Sequence, residues 1–113
     1  MNDWMKEYYE KIKSGEKLNE KQLRELSLEG GLSYSIDSGR WQEQMVTVLN
    51  FDDEVYLLYW QKGLTEEQEN LFEEQPIKVS VNKKEEIIKY NVFEYFNNDG
   101  KNLFTIRKPI KEV

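Results

Sequence analysis

The sequence predicts an α+β fold: two N-terminal helices packed on an antiparallel sheet of about five strands, with a short acidic helix between its hairpins. Three observations carry that expectation. Apolar residues over about the first thirty positions recur at helical spacing. From residue 41 onward they fall instead in short β-branched and aromatic runs separated by polar turns. Asn97-Asn98-Asp99-Gly100 is the strongest hairpin turn signal in the chain, because Asn, Asp and Gly tolerate the positive φ of tight hairpins. At 113 residues the chain is expected to form a single domain, 1–113, with room for one modest core.

A first helix can start from Asn2 or Asp3, whose short side chains accept from the free N–H groups of an opening turn. Trp4, Tyr8 and Ile12 lie at i, i+4 and i+8 with Met5 and Tyr9 beside them, while Lys6, Glu7, Glu10, Lys11 and Lys13 face away. This stripe reads as core, and Ser14-Gly15 ends the helix. Asn19 with Gln22 three residues later has the pattern of a capping box for a second helix, which carries Leu23, Leu26 and Leu28 and closes at Gly30-Gly31.

Residues 26–40 carry a rival reading. Leu26, Gly31, Leu32 and Ser33 have the spacing of a helix-turn-helix, with residues 33–40 as the recognition helix of a DNA-binding regulator. Such a helix would hold Asp37 near where an apolar anchor is wanted, Gly39 in its interior, and Arg40 as its single cation for phosphates. The other reading is a loop or short strand over 32–36 followed by a turn at Asp37-Ser38-Gly39.

A strand over 41–51 places Trp41, Met45, Leu49 and Phe51 on one face and Val46 and Val48 on the other. The chain turns at 50–53 and returns over 55–60, apolar on both faces like a central strand covered by helices. Ile77, Val79 and Val81 alternate with polar residues, a turn is expected at Asn82-Lys83-Lys84, and 86–96 pairs with 102–106 before Pro109. The basic tail, 107–111, reads as a solvated terminus.

Residues 60–76 hold the densest negative charge. Thr65, with Gln68 three positions on, can cap a helix over 66–74 that Pro76 stops. Glu66 and Glu67 suit its positive end, but Glu73 and Glu74 oppose its negative end. Glu66/Glu69 and Glu69/Glu73 add like-charge pairs, each unfavourable by roughly 0.2–0.5 kcal/mol. The acidity therefore works against the helix, which leaves either a marginal element or a basic partner to account for it.

The missing residue types exclude much chemistry. With no cysteine there is no disulfide, thiolate nucleophile or zinc-thiolate site. With no histidine the usual neutral-pH general base and every imidazole triad are gone. Neither phosphate-loop glycine spacing is present, and Asp52-Asp53-Glu54 lacks the alternating ligands and central glycine of an EF-hand, so it reads as a solvated turn. No stretch approaches an apolar membrane span, and the first residues lack a signal pattern, so a cytoplasmic protein without cofactor, metal or enzymatic activity is expected. Charge is uneven: residues 1–40 carry 7 basic and 8 acidic groups, 41–76 carry 1 and 9, and 77–113 carry 8 and 5. The middle of the chain would repel nucleic acid and attract a basic surface.

Gly39-Arg40-Trp41 and the run Trp60…Gly63-Leu64-Thr65-Glu66…Gln68-Glu69-Asn70…Phe72…Gln75-Pro76 resemble small uncharacterised proteins of phages and mobile elements of Gram-positive bacteria. The resemblance spans about residues 39–77. It implies a phage accessory protein similar in character to anti-CRISPR and other anti-defence inhibitors, some of which occupy the nucleic-acid channel of a host nuclease. The partner would then be a host protein with a basic surface, such as a CRISPR effector nuclease, with no direct nucleic-acid binding. The expected partner-binding residues are Glu66, Glu67, Glu69, Glu73 and Glu74, with Trp41 and Trp60 as anchors if they are exposed. A phage structural or assembly protein is the third alternative, using the apolar stripe of the first helix to self-associate.

Overall fold

The computed structural model describes residues 2–65, 67–86 and 90–109. They form an α+β fold with two helices, α1 (Asp3–Lys13) and α2 (Glu20–Glu29), followed by six strands. The strands are β1 (Gly31–Ser38), β2 (Gln42–Phe51), β3 (Glu54–Gly63), β4 (Ile77–Glu86), β5 (Tyr90–Phe96) and β6 (Asn102–Pro109). The count exceeds the expected five because β1, weighed in sequence against a loop, is a full strand. The chain divides into two compact units, Met1–Ile77 and Lys78–Val113.

In the first unit, β1, β2 and β3 form an antiparallel meander. Its helix-facing side gathers Leu49, Phe51, Tyr56, Leu58 and Trp60 with Met5, Tyr9, Leu18, Leu23 and Leu26. Removal of this much apolar surface from water is the main stabilising term, at roughly 1.5–3 kcal/mol for each fully buried large side chain. The α1 stripe packs inward, but rotated from the simplest reading: Met5 and Tyr9 are buried, while Trp4, Tyr8 and Ile12 are half-buried at its margin. Tyr9 stacks on Phe51 with ring centroids 4.7 Å apart, which fixes α1 over the β2–β3 hairpin. Val46, Val48 and Leu57, on the reverse face of the meander, are buried as well.

The α2 capping box forms as expected: Gln22 N–H donates to Asn19 Oδ1 at 2.8 Å, and Asn19 N–H to Gln22 Oε1 at 2.9 Å. Leu23 and Leu26 enter the core, but Leu28 stays exposed. The helix-turn-helix alternative fails at its second helix, because Gly31–Ser38 pairs with β2 from Gly31↔Leu49 to Ser38↔Glu43. A Cβ on Gly31 would stand 1.9 Å from the Val48 carbonyl oxygen, so glycine is required for this close strand approach. Ser33 Oγ lies 2.7 Å from Thr47 Oγ1 and donates to the Ser27 carbonyl at 3.1 Å, tying the end of α2 to the strand that follows.

The second unit holds the β4–β5–β6 meander. The turn expected at Asn82-Lys83-Lys84 is absent, since β4 runs straight through these residues and pairs them with Glu94, Phe93 and Val92. Turn-like composition was outweighed by cross-strand partners: Lys84 Nζ lies 3.0 Å from a Glu94 carboxylate oxygen, and Lys83 Nζ lies 5.9 Å from the Phe93 ring centroid. Residues 87–89 of the expected strand 86–96, and 110–111 of the basic tail, lie outside the described residues. The Asn97–Gly100 turn forms as expected, with Asn97 Oδ1 accepting from Asp99 N–H at 3.0 Å and Lys101 N–H at 2.9 Å, and Gly100 at φ +83°. Tyr95 stacks on Phe104 at 4.5 Å, and Tyr95 and Val92 are buried. Among the described residues, no helix is long and apolar enough to cross a membrane.

Candidate functional site

The acidic segment after β3 is not a helix among its described residues. It leaves β3 at Gly63, and its described residues, 64–65 and 67–76, run as an irregular strap. The expected cap leaves only a single turn, with Gln68 N–H donating to the Thr65 carbonyl at 3.1 Å. Tertiary ties took over from helix propensity. Gln61 and Leu71 exchange two backbone hydrogen bonds of 3.0 and 2.8 Å, adding one antiparallel bridge to the outer end of β3. Phe72 is buried on Trp60, and the Arg24 guanidinium lies 5.1 Å from the Phe72 ring centroid. Gln75 clamps Leu18 from both sides, accepting its N–H at 2.9 Å and donating to its carbonyl at 3.0 Å. Asn70 Oδ1 accepts the Gly63 N–H at 3.0 Å. A strap that buries Phe72 and satisfies Leu71 through the sheet gains more than a marginal helix with like charges along it.

The sequence-derived site residues separate into distinct groups. Glu67, Glu69, Glu73 and Glu74 are all exposed along the strap, so the negative field is presented to solvent. Glu66 lies outside the described residues. Trp41 is 53% exposed, as a docking anchor requires. Trp60 is not an anchor: it is buried, stacks on Phe72, and donates its Nε1–H to Thr47 Oγ1 at 2.9 Å. Its place opposite Met45 on the helix-facing side of the hairpin accounts for that correction.

Trp41 meets the start of the strap, where Glu67 shares a groove with it, whereas Glu69, Glu73 and Glu74 do not line that groove. Leu64 N–H donates to the Trp41 carbonyl at 3.0 Å, joining the start of the strap to the turn before β2. An open groove of about 470 Å³ is lined by Trp41, Thr65, Glu67 and Gln68. A second, of about 340 Å³, lies against Asp37, Arg40, Trp41, Gln44 and Gln61. The Arg40 guanidinium sits 5.0 Å from the Trp41 ring centroid. Close packing holds the strap here, because a Cβ on Gly63 would stand 2.0 Å from the Gln68 carbonyl oxygen. Gln44 and Gln61 carried no periodic or motif signal, and Thr65, Gln68 and Asp37 were marked only for other roles, a helix cap and a helix-turn-helix; backbone folding brings all five to grooves lined by Trp41.

The Asp52-Asp53-Glu54 turn has a different character. Asp52 adopts φ +55° in a two-residue connection between paired Phe51 and Glu54. Glu54 is held rather than solvated: Tyr9 O–H donates to its carboxylate at 2.5 Å, and Tyr56 O–H reaches the same oxygen at 3.4 Å. That hydrogen bond, then burial and the carboxylate charge, push the Tyr9 phenol well above its ordinary pKa. Among the described residues, no group of three or more acidic side chains is arranged to hold a metal ion. Compared with protein-family models, curated proteins and solved structures, the chain matches none.

Proposed function

We propose that this protein acts by binding rather than by catalysis, docking its acidic strap and Trp41 onto a basic surface of a host protein. The observation that carries this reading is an exposed Trp41 that shares a groove with Glu67 at the start of a strap that also carries exposed Glu69, Glu73 and Glu74. Exposed aromatics are the residue class most enriched among strong binding anchors, and surrounding charge supplies steering and selectivity. The strap is preorganised by Leu71, Phe72 and Gln75, which lowers the ordering cost of binding. A sequence without cysteine or histidine fits a role that needs surface complementarity rather than proton transfer. The nucleic-acid channel of a defence nuclease is the class of basic surface that this charge suits and that the phage resemblance suggests, and blocking it would make the protein an anti-defence inhibitor in the host cytoplasm.

The test is affinity capture from a Gram-positive host lysate with three baits: wild type, Trp41→Ala, and the fourfold variant Glu67→Lys, Glu69→Lys, Glu73→Lys, Glu74→Lys. The proposal expects a protein retained by wild type in moderate salt and lost by both variants. Recovery of the same proteins by all three baits contradicts it.

A further inference from the structure

Trp41 lines two grooves, one together with Arg40 and the other together with Glu67. We infer that the Glu67 side is a pocket for one arginine side chain of the basic partner, its guanidinium stacked on the indole and paired with the Glu67 carboxylate. This inference rests on the binding role proposed above and specifies its chemistry.

The chain itself shows what this ring accepts. Arg40 places its own guanidinium 5.0 Å from the indole centroid, so a guanidinium already lies against Trp41 within the chain itself. The Glu67 groove offers complementary groups: an aromatic surface, an exposed carboxylate, the Thr65 hydroxyl and the Gln68 amide. A planar guanidinium uses all three kinds at once, stacking on the indole while its fork of N–H donors reaches a carboxylate and neutral oxygens. A lysine ammonium can pair with Glu67 but cannot stack as a plane, so arginine is the favoured occupant. The walls are held in place by the Leu64 N–H bond to the Trp41 carbonyl, 3.0 Å, and by the Gly63–Gln68 approach.

The experiment is an NMR titration of the full chain with capped hexa-arginine, hexa-lysine and hexa-glutamate peptides, the Trp41 indole N–H being assigned by its loss in Trp41→Phe. Hexa-arginine should shift the Trp41 indole and the Glu67 amide saturably, with hexa-lysine weaker and hexa-glutamate without effect. Glu67→Gln, which keeps the shape, and Trp41→Leu should each weaken hexa-arginine binding by about tenfold. No saturable shift at Trp41, equal response to hexa-lysine, or unchanged binding in both variants overturns the pocket. A null titration together with lysate capture that depends on the strap glutamates removes the pocket and leaves the binding role. A saturable titration without any glutamate-dependent partner does the reverse.

Discussion

Trp60 and Phe72 stack with ring centroids 5.3 Å apart and planes 19° apart, and this pair holds the acidic strap against the body of the first unit. Phe72→Ala removes a buried ring and leaves a cavity beside Trp60, so stability should fall by about 3 kcal/mol. Urea unfolding measures that loss. Hydrogen exchange adds a local readout: the Gln61 and Leu71 amides, which form the bridge beside Phe72, should lose protection before the paired amides of β2 and β3.

Thr47 is the hub of a directional polar chain. An indole N–H can only donate, so Thr47 Oγ1 accepts from Trp60; because Ser33 donates to the Ser27 carbonyl, Thr47 donates onward to Ser33. Thr47→Val keeps the volume but leaves a buried N–H without an acceptor, at a cost of about 1–3 kcal/mol. Thr47→Ser should restore much of that loss. A Val variant as stable as wild type in chemical denaturation would contradict this role.

Gly63→Ala should act on the site more than on the core. The added methyl meets the Gln68 carbonyl, and the strap must shift to relieve a strain of about 1–3 kcal/mol. Partner affinity and the Trp41 indole resonance should change while the Leu18, Leu23 and Leu58 methyl signals stay native-like. Gly15→Ala provides the contrast: its cost comes from φ +83° in open space, and binding should be unaffected.

The Tyr9–Glu54 hydrogen bond predicts an alkaline limit. A folded-state pKa above the unfolded value means that the bond's contribution is complete below about pH 10 and is lost as pH rises through the folded value. Tyr8, raised chiefly by its bond to Glu25, and Tyr56 and Tyr59, raised chiefly by burial, act in the same direction. Wild-type stability should therefore decline in the alkaline range, and Tyr9→Phe should be less stable near neutrality with a shallower decline. Thermal unfolding across that range checks it; the same slope in both proteins would contradict the assignment.

Local signals read well from the sequence where one residue type fixes one geometry. Asn19 and Gln22 announced the α2 cap, and Asn97 to Gly100 announced the last hairpin, because both depend on short-range hydrogen bonds. The readings that failed depend on partners distant in sequence. Lys83 and Lys84 looked like a turn, but on the strand Lys83 lies across from Phe93 and Lys84 reaches diagonally to Glu94. The strap looked like a capped helix because the Thr65–Gln68 cap and the Pro76 stop were visible, whereas the Gln61 bridge, the Trp60 stack and the Gln75 clamp on Leu18 were not. Of the candidate site, the sequence made legible only the charge on Glu67, Glu69, Glu73 and Glu74, which is exposed. Its geometry was illegible, since the same tryptophan signal described Trp41, which is exposed, and Trp60, which is core.

On the proposed binding role, the strap and Trp41 together form the partner-binding surface. The most direct measurement is the calorimetric Kd for the captured partner, purified, across a salt series, with wild type, Trp41→Ala and the fourfold glutamate reversal. Loss of an anchor worth about 2 kcal/mol corresponds to roughly 30-fold for Trp41→Ala, and reversing four attractive charges should cost on the order of 100-fold at low salt. Wild-type affinity should fall as salt rises, and the reversal variant should lose most of that dependence. A Kd unchanged by both variants and insensitive to salt would contradict the account.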